Sequence, residues 1–168
     1  MIANPDNRTR RIKTKYDTDD IVDALLKVDA DRANATQIKD FALSIADPDL
    51  DTTLRRLWAF MIKEFRYIED GLQYQNIKTP ARLYADQKGD CKSFTIFIGA
   101  FLQAIKVPYR INFVGFGNDP NFKHVYPSVI INGEEVNLDV VLTLQHGLRN
   151  QYGKRAANIT THTAYEHG

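Results

Sequence analysis

The sequence contains a single cysteine, Cys91, among its 168 residues. One cysteine cannot form an intramolecular disulfide, and it cannot build a zinc site that needs several thiolates. The fold must therefore depend on packing, and a reducing compartment is the expected setting. The length and the aromatic content of 11% are sufficient for one globular domain with its own core.

Long apolar runs and a strong net charge are also missing. No stretch is long and apolar enough to cross a bilayer, and no apolar segment typical of a secretion signal is present, so we expect a soluble, unexported protein without a membrane partner. The formal net charge is only +1, which gives no general reason to expect nucleic acid as a partner. Basic residues do cluster before the first expected helix, at Arg8, Arg10, Arg11, Lys13 and Lys15. Because no aromatic residues are interleaved with them, we interpret them as a solvated arm, with a nucleic-acid contact as the alternative.

The most informative stretch begins at Gly89-Asp90-Cys91. Gly89 allows a sharp turn and Asp90 is a good N-cap, so Cys91 is expected in the first turn of a helix. There the unpaired backbone N–H groups and the helix dipole stabilise an anion such as a thiolate. The residues that follow are apolar on nearly every face as far as Ile105, which is typical of a buried central helix.

Apolar spacing predicts three further helices upstream. The first starts near Asp19, the second covers about residues 38–45, and the third extends from Asp51 to Phe65. Residues 67–88 contain glycine, proline and scattered polar residues, and we interpret them as one long connection that leads into the cysteine.

The same patterns predict the domain organisation. Residues 1–18 are polar and basic, and residues 143–168 are polar with little periodicity, so we expect a flexible arm and a weakly ordered tail. Residues 19–142 are expected to form a single domain, with a helical N-terminal extension at 19–50 and a core at 51–142.

Strand signals follow the central helix. Residues 109–116 alternate well enough for a strand, and residues 124–142 predict a β-hairpin with the two-residue turn Asn132-Gly133. In such a hairpin, directly opposed residues share a face of the sheet, and so do residues two apart along one strand. His124 and Asp139 are then diagonal neighbours at roughly 7–8 Å, a separation that side chains can bridge. A three-residue loop would place them on opposite faces.

Cys91, His124 and Asp139 supply a thiol, an imidazole and a carboxylate, which is a candidate nucleophilic arrangement. A carboxylate orients an imidazole and stabilises its charged form, and an imidazolium beside a thiol favours the thiolate. Residue types alone leave a plain structural role open for all three. The remaining histidines lie in the expected tail and are predicted to be solvated; they are His146, His162 and His167. None of them has a spacing typical of a metal site with the cysteine, so no metal or cofactor is expected.

At these residues the chain resembles the transglutaminase-like superfamily, whose core is a circularly rearranged papain fold, and particularly its small stand-alone phage or bacterial members. The similarity covers about residues 54–142 and consists of short segments in a defined order. They are Phe65-Arg66-Tyr67, Ile77-Lys78-Thr79-Pro80, Gly89-Asp90-Cys91, Val107-Pro108-Tyr109-Arg110, His124-Val125-Tyr126 and Asn137-Leu138-Asp139. The resemblance implies an α+β fold with a papain-like/transglutaminase-like core. In it, a central helix carrying the cysteine packs on an antiparallel sheet carrying the histidine and the aspartate, here with extra N-terminal helices.

The chain departs from the family pattern in three places. Many members have an acidic residue after the cysteine, where this chain has Lys92. Many also have an aromatic residue close after the histidine, where this chain has Val125 then Tyr126, and a tryptophan shortly before the aspartate, where it has Val136-Asn137. A solvent-pointing side chain is expected for Lys92, and a position near the sulfur, where it would favour the thiolate, is the alternative.

The resemblance implies cysteine-dependent acyl transfer on a protein or peptide substrate. Cys91 would attack an amide or ester carbonyl, His124 would protonate the leaving group, and Asp139 would orient His124. The backbone N–H of Cys91 is the first expected oxyanion donor. The side chain of Gln75 or Tyr74 is a candidate for the second, and a surface-exposed glutamine is the alternative.

Hydrolysis of a peptide or isopeptide bond by a peptidase or amidase is the first expectation. A protein transglutaminase-type acyltransferase is the alternative among enzymes. Outside enzymes, the alternative is a catalytically inactive structural or interaction module of a bacteriophage, with phage structural proteins as partners. The implied location is the cytoplasm of a host cell or the virion.

Overall fold

The computed structural model describes residues 2–4, 9–13, 18–71 and 74–168. The helices are α1 (Thr18–Asp29), α2 (Ala33–Ile45), α3 (Leu50–Glu64), α4 (Pro80–Asp86), α5 (Cys91–Ala104) and α6 (Val141–Leu144). The strands are β1 (Arg10–Lys13), β2 (Arg66–Tyr67), β3 (Tyr74–Ile77), β4 (Lys88–Gly89), β5 (Tyr109–Phe116), β6 (His124–Ile131), β7 (Glu134–Asn137) and β8 (Ile159–His167). None of the helices in the described part of the chain combines the length and the apolar character that crossing a bilayer requires.

Helix α5 lies at the centre of the fold, as its apolar pattern predicts. Every residue from 92 to 102 is buried. One side of the helix packs on α2 and another on β6. Phe97 contacts Phe65 with 5.1 Å between ring centroids, and Phe101 contacts Phe41 at 6.0 Å. Replacing a buried phenylalanine with alanine typically costs about 3–5 kcal/mol, so this aromatic cluster is a major contribution to the free energy of unfolding.

Helix α5 packs against an antiparallel sheet of four strands in the order β7-β6-β5-β8. Strand β5 is paired on both sides, with β6 and with β8. The Oγ1 of Thr95 on the helix donates to the backbone oxygen of Val125 on β6 at 3.3 Å. The predicted α+β class, with a central cysteine helix on an antiparallel sheet and helices before it, is confirmed.

The turn between β6 and β7 is the predicted two-residue turn. Asn132 and Gly133 have φ angles of 52° and 81°, in the left-handed region that this turn requires and that Asn and Gly tolerate. Ile131 pairs with Glu134, so the predicted register is confirmed. Because the register decides which face each side chain occupies, this turn determines where His124 points.

The expected tail at residues 143–168 is wrong for the segment that forms β8. This strand pairs antiparallel with β5 from Tyr109 opposite His167 to Phe116 opposite Ile159. Most of its residues are exposed, without an alternating burial pattern. Strand β8 is therefore held in the sheet by backbone hydrogen bonds to β5. Such bonds do not depend on residue type, so the sequence of β8 gives little sign of them.

A buried polar cluster anchors β8. The Nδ1 atom of His167 lies 2.8 Å from Oδ2 of Asp29, and the His167 ring stacks on Tyr109 with 4.7 Å between centroids. The hydroxyl of Tyr109 donates to Asp29 at 2.7 and 2.8 Å and accepts from Nε2 of Gln103 at 2.7 Å. Burial raises the pKa of Asp29, and the hydrogen bonds from Tyr109 and His167 offset part of that rise. The expectation that His167 is solvated is therefore wrong.

The flexible arm expected at residues 1–18 is wrong for those of its residues that the structure describes. Strand β1 pairs antiparallel with β3, and the backbone N–H of Ala3 donates to the oxygen of Gln37 at 2.9 Å. Residues 1, 5–8 and 14–17 lie outside the described residues, and so does the side-chain setting of the basic cluster, whose solvation stays a prediction. The division into an extension and a core also stays a prediction.

The connection expected at residues 67–88 contains β3, α4 and the start of β4. The side chain of Thr79 accepts from the backbone N–H of Arg82 at 3.4 Å, and Pro80 is the first residue of α4. A capping threonine followed by proline is a helix-start signal, but a helix of seven residues is too short to show periodicity.

We expect His167→Ala to lower the melting temperature by about 5 °C. The variant removes a hydrogen bond to a buried carboxylate, which is worth about 1.5 kcal/mol in a chain of this size. His146→Ala is the matched control, because His146 is exposed, and its melting temperature should equal that of the wild type in thermal unfolding followed by circular dichroism. A His167→Ala protein that melts with the wild type would contradict the anchoring role.

Candidate active site

Cys91 lies at the start of α5, where the local sequence holds it. The Oδ1 of Asp90 accepts from the backbone N–H of Lys92 at 3.0 Å, which makes Asp90 the predicted N-cap. A Cβ on Gly89 would lie 2.8 Å from Leu83, so the close approach needs glycine. Cys91 itself is partly exposed. Its thiol therefore lies at the electropositive end of a buried helix while remaining accessible to a substrate.

His124 and Asp139 form a buried pair beside the cysteine. The His124 Nε2 atom lies 2.6 Å from Oδ2 of Asp139, and the two side chains are 11% and 1% exposed. Asp139 follows the end of β7, and its Oδ1 accepts from the backbone N–H of Val141 at 3.3 Å. Cys91 and His124 line the same cavity, and Cys91 contributes to the raised pKa of His124. The structure thus brings together the three residues that the sequence singles out.

Electrostatics favours the charged form of His124. Burial on its own lowers the pKa of His124, but hydrogen bonds to Asp139 and Cys91 outweigh it and raise the pKa to about 10. The imidazole is therefore protonated at neutral pH. In general, a positive charge beside a thiol favours the thiolate, which is the nucleophilic form of cysteine.

Lys92 is buried, with 6% of its surface exposed, so the expectation that it points into solvent is wrong. Its ammonium forms ion pairs with Asp90 and, at 3.4 Å, with Asp70, and donates to Oε1 of Gln75 at 2.7 Å. Burial on its own lowers the pKa of Lys92, but Asp90, Cys91 and Asp70 raise it above its usual range. Lys92 is therefore a permanent cation next to Cys91. The contribution of Asp70 had no signal in the sequence.

A cavity of about 290 Å³ adjoins Cys91 and His124. Gln75 and Lys92 contribute to its lining, and apolar side chains make up much of the rest. The apolar residues are Ile21, Val22, Phe113, Phe122 and Val125. The contribution of α1 to this wall could not be predicted, because no local pattern shows that a helix so far upstream packs beside the cysteine.

The structure separates the two candidates for the second oxyanion donor. Gln75 lines the cavity with Cys91, whereas Tyr74 is 42% exposed and is not among the lining residues. Gln75 is also only half buried, and both ends of its amide have partners: Lys92 at Oε1 and the Gly71 oxygen at 3.3 Å from Nε2. Gln75 is therefore the candidate that geometry retains.

In the part of the chain that the structure describes, no group of three or more His, Cys, Asp or Glu side chains is placed to hold a metal ion. His162, expected to be solvated, lies with its Nε2 atom 2.8 Å from Oδ1 of the buried Asn112. His162 is nevertheless exposed, as is His146, and both positions agree with the expectation that these histidines are solvated.

No protein-family model matches the sequence, and no curated protein matches it. Solved structures do match the fold. LapG of Legionella pneumophila in its calcium-bound form aligns with a TM-score of 0.55 and 19% identity, over 85% of this chain and 80% of LapG. A protein from Cytophaga hutchinsonii proposed to be a cysteine protease aligns with a TM-score of 0.50 and 14% identity, over 95% of this chain and 60% of that protein. The chain has a transglutaminase-like fold.

A protein from Parabacteroides distasonis proposed to be a protease has the same fold, with a TM-score of 0.55 and 11% identity. The match covers 68% of this chain but only 25% of that protein. EGTA-treated LapG aligns with a TM-score of 0.52. At these identities the likeness shows the fold alone. The predicted papain-like/transglutaminase-like fold is confirmed, and its structural neighbours include proteins proposed to be proteases.

We expect Cys91 to react with iodoacetamide at pH 6 at least about tenfold faster in the wild type than in His124→Ala, because the imidazolium favours the thiolate. Alkylation is followed by intact mass, which is unambiguous because the chain has one cysteine. His146→Ala is the control for removing a histidine elsewhere and should react like the wild type. Equal rates in the wild type and His124→Ala would mean that the two side chains are not electrostatically coupled.

Proposed function

We propose that the protein is a cysteine-dependent acyl-transfer enzyme that hydrolyses a peptide or isopeptide bond. One observation carries the proposal: His124 is bound to Asp139 at 2.6 Å and lines the same cavity as the partly exposed Cys91. This order of groups is the one that activates a thiol nucleophile. The neighbours proposed to be proteases support the same activity at a coarser level.

In the first half of the reaction, the Cys91 thiolate attacks the carbonyl carbon and forms a carbon–sulfur bond. The carbonyl electron pair moves to oxygen and returns when the carbon–nitrogen bond breaks. The His124 imidazolium gives its proton to the departing amine, and Asp139 keeps the ring oriented throughout. The products of this half are a thioester on Cys91 and a free amine.

In the second half, neutral His124 takes a proton from water as the water oxygen attacks the thioester. The carbon–sulfur bond breaks, the carboxylic acid leaves, and Cys91 returns to the thiolate beside a protonated His124. An amine in place of water would give transamidation by the same steps. The pair therefore ends each cycle in the charge state in which it began.

The developing oxyanion requires donors that are already in place. The backbone N–H of Cys91 at the start of α5 supplies one, because first-turn N–H groups have no partner within the helix. The side-chain NH₂ of Gln75 supplies the second. The apolar part of the cavity lining suits an apolar side chain near the scissile bond, and Glu69 and Lys123 add charges of both signs to the same cavity.

We expect the wild type to generate new peptide N-termini in a proteome-derived peptide library, identified by mass spectrometry, and Cys91→Ala to generate none. Cys91→Ala should keep the wild-type melting temperature, because Cys91 is partly exposed. Including a fluorescent primary amine distinguishes the outcomes, since its incorporation into peptides would identify a transamidase. If the wild type shows no cleavage and no amine incorporation, and its thiol does not react with iodoacetamide, the protein is an inactive module.

Asp139→Asn should fold but reduce kcat/KM by about 10³- to 10⁴-fold, as the loss of an orienting carboxylate does in related triads.

The pH profile of Asp139→Asn should shift as well. Because the folded-state pKa of His124 is raised, the imidazolium is present at neutral pH and is lost as the pH rises through about 10, where wild-type activity falls. Since Asp139 contributes to that rise, the fall should move to lower pH in Asp139→Asn. Circular dichroism at each pH confirms folding. If activity falls at the same alkaline pH in both proteins, Asp139 does not raise the pKa of His124.

Calcium, which is named for one form of LapG, does not fit the residues of this chain. A calcium ion requires several oxygen ligands, chiefly carboxylates and carbonyls. The oxygens that gather beside Cys91 belong to Asp90, Asp70 and Gln75, and all three contact the ammonium of Lys92. No step above is therefore assigned to a metal.

The biological setting follows from the resemblance alone. A small stand-alone phage or bacterial enzyme, in the cytoplasm of a host cell or in a virion, is the setting we propose. Its partner would be a protein or peptide substrate, which includes phage structural proteins.

A further inference from the structure

A buried charge cluster that the steps above do not use lies directly behind the nucleophile. Lys92 follows Cys91 in the sequence, yet its side chain turns inward and is 6% exposed. An ammonium has three hydrogens and no acceptor, so full burial requires three oxygen partners. The structure supplies three: a carboxylate oxygen of Asp90, one of Asp70 at 3.4 Å, and Oε1 of Gln75 at 2.7 Å.

The three partners come from both sides of the site. Asp90 is the N-cap of α5 and immediately precedes Cys91. Asp70 accepts from the backbone N–H of Asn76 at 2.6 Å and from its side chain at 3.1 Å, which fixes the entry to β3. Gln75 lies on β3 and lines the cavity. The ammonium therefore joins the start of the nucleophile helix to the segment that forms the opposite wall.

Binding to Lys92 also determines which way the Gln75 amide points. Because an ammonium can only donate, it binds the amide oxygen, and the NH₂ group must point the other way. The backbone oxygen of Gly71 accepts from that NH₂ at 3.3 Å, which uses one of its two hydrogens. Since Gln75 lines the cavity, its second hydrogen is the one that we assign to an oxyanion there.

We propose that Lys92 is an internal cation that orients the Gln75 amide as an oxyanion donor and occupies the oxygen cluster that a divalent metal would otherwise require. The catalytic half of this inference rests on the proposed function, and the cation half does not. Lys92 is a positioning residue, because it acts on the reacting atoms through Gln75 and not by contact.

The first test uses Lys92→Met, which keeps the length of the side chain and removes its charge. Two carboxylates then lose their shared partner, so we expect the melting temperature to fall by about 10 °C. Lys63→Met is the matched control, because Lys63 is exposed on α3, and it should melt with the wild type. A Lys92→Met protein that melts with the control would overturn the internal cation.

The second test needs no variant and therefore stands even if Lys92→Met fails to fold. The melting temperature of the wild type should differ by less than about 1 °C between excess EGTA and millimolar CaCl₂, because a protein is stabilised only by a ligand that binds its folded state. A rise of several degrees in CaCl₂ would show that a metal binds the protein, and would overturn the assignment of that position to Lys92.

The third test separates positioning from plain stability. Gln75→Ala and Lys92→Met should each lower kcat about 10- to 100-fold with little change in KM, since an oxyanion donor acts in the transition state. Lys92→Met added to Gln75→Ala should cause little further loss of kcat, because the two act as one unit. Independent, multiplicative losses of kcat would overturn the positioning role.

If Cys91→Ala and wild type are equally inactive, the proposed function fails, while the two melting tests still decide whether Lys92 is the internal cation.

Discussion

The close approach of α5 to its neighbours is the constraint on which the candidate site depends. Gly99 permits it, because a Cβ at that position would lie 2.6 Å from Oδ1 of Asp29 and 3.0 Å from the hydroxyl of Tyr109. Thr95 extends the contact to β6 through its bond to Val125, the residue after His124. With the helix held at this distance, its first residue lines the same cavity as the imidazole of His124. A bulkier helix face would separate thiol from imidazole without altering either group.

Two charged systems meet at the start of α5, and they differ in what they do. The pair of His124 and Asp139 exchanges a proton with the substrate in the proposed cycle. Lys92 keeps its charge, because its acidic neighbours, chiefly Asp90, raise the pKa of the ammonium more than burial lowers it. Burying an unpaired ion costs several kcal/mol. The burial of each group in this cluster therefore depends on the other two, which are drawn from the carboxylates of Asp70 and Asp90 and the ammonium of Lys92. In the proposed mechanism, one system performs the chemistry, and the other keeps the geometry of the site constant.

Local rules explain which parts of the site could be predicted. The cap at Asp90, the buried helix after Cys91 and the turn at Asn132 each depend on a few adjacent residues, and together they place His124 near Asp139. The parts that could not be predicted depend on contacts between distant segments. Strand β8 is mostly exposed and is held by backbone pairing, and Lys92 has an ordinary surface residue type. Its burial makes sense only once Asp70 is known to lie beside it.

The carboxylate of Asp29 connects two regions that have no other obvious relation. It ends α1, the helix that contributes Ile21 and Val22 to the cavity wall, and it binds His167 near the end of β8. The outer edge of the sheet and the surface that would recognise the substrate therefore share one anchor. In the proposed enzyme, a substitution in β8 that displaces Asp29 would move this wall and change substrate preference, while the residues around Cys91 remain unchanged.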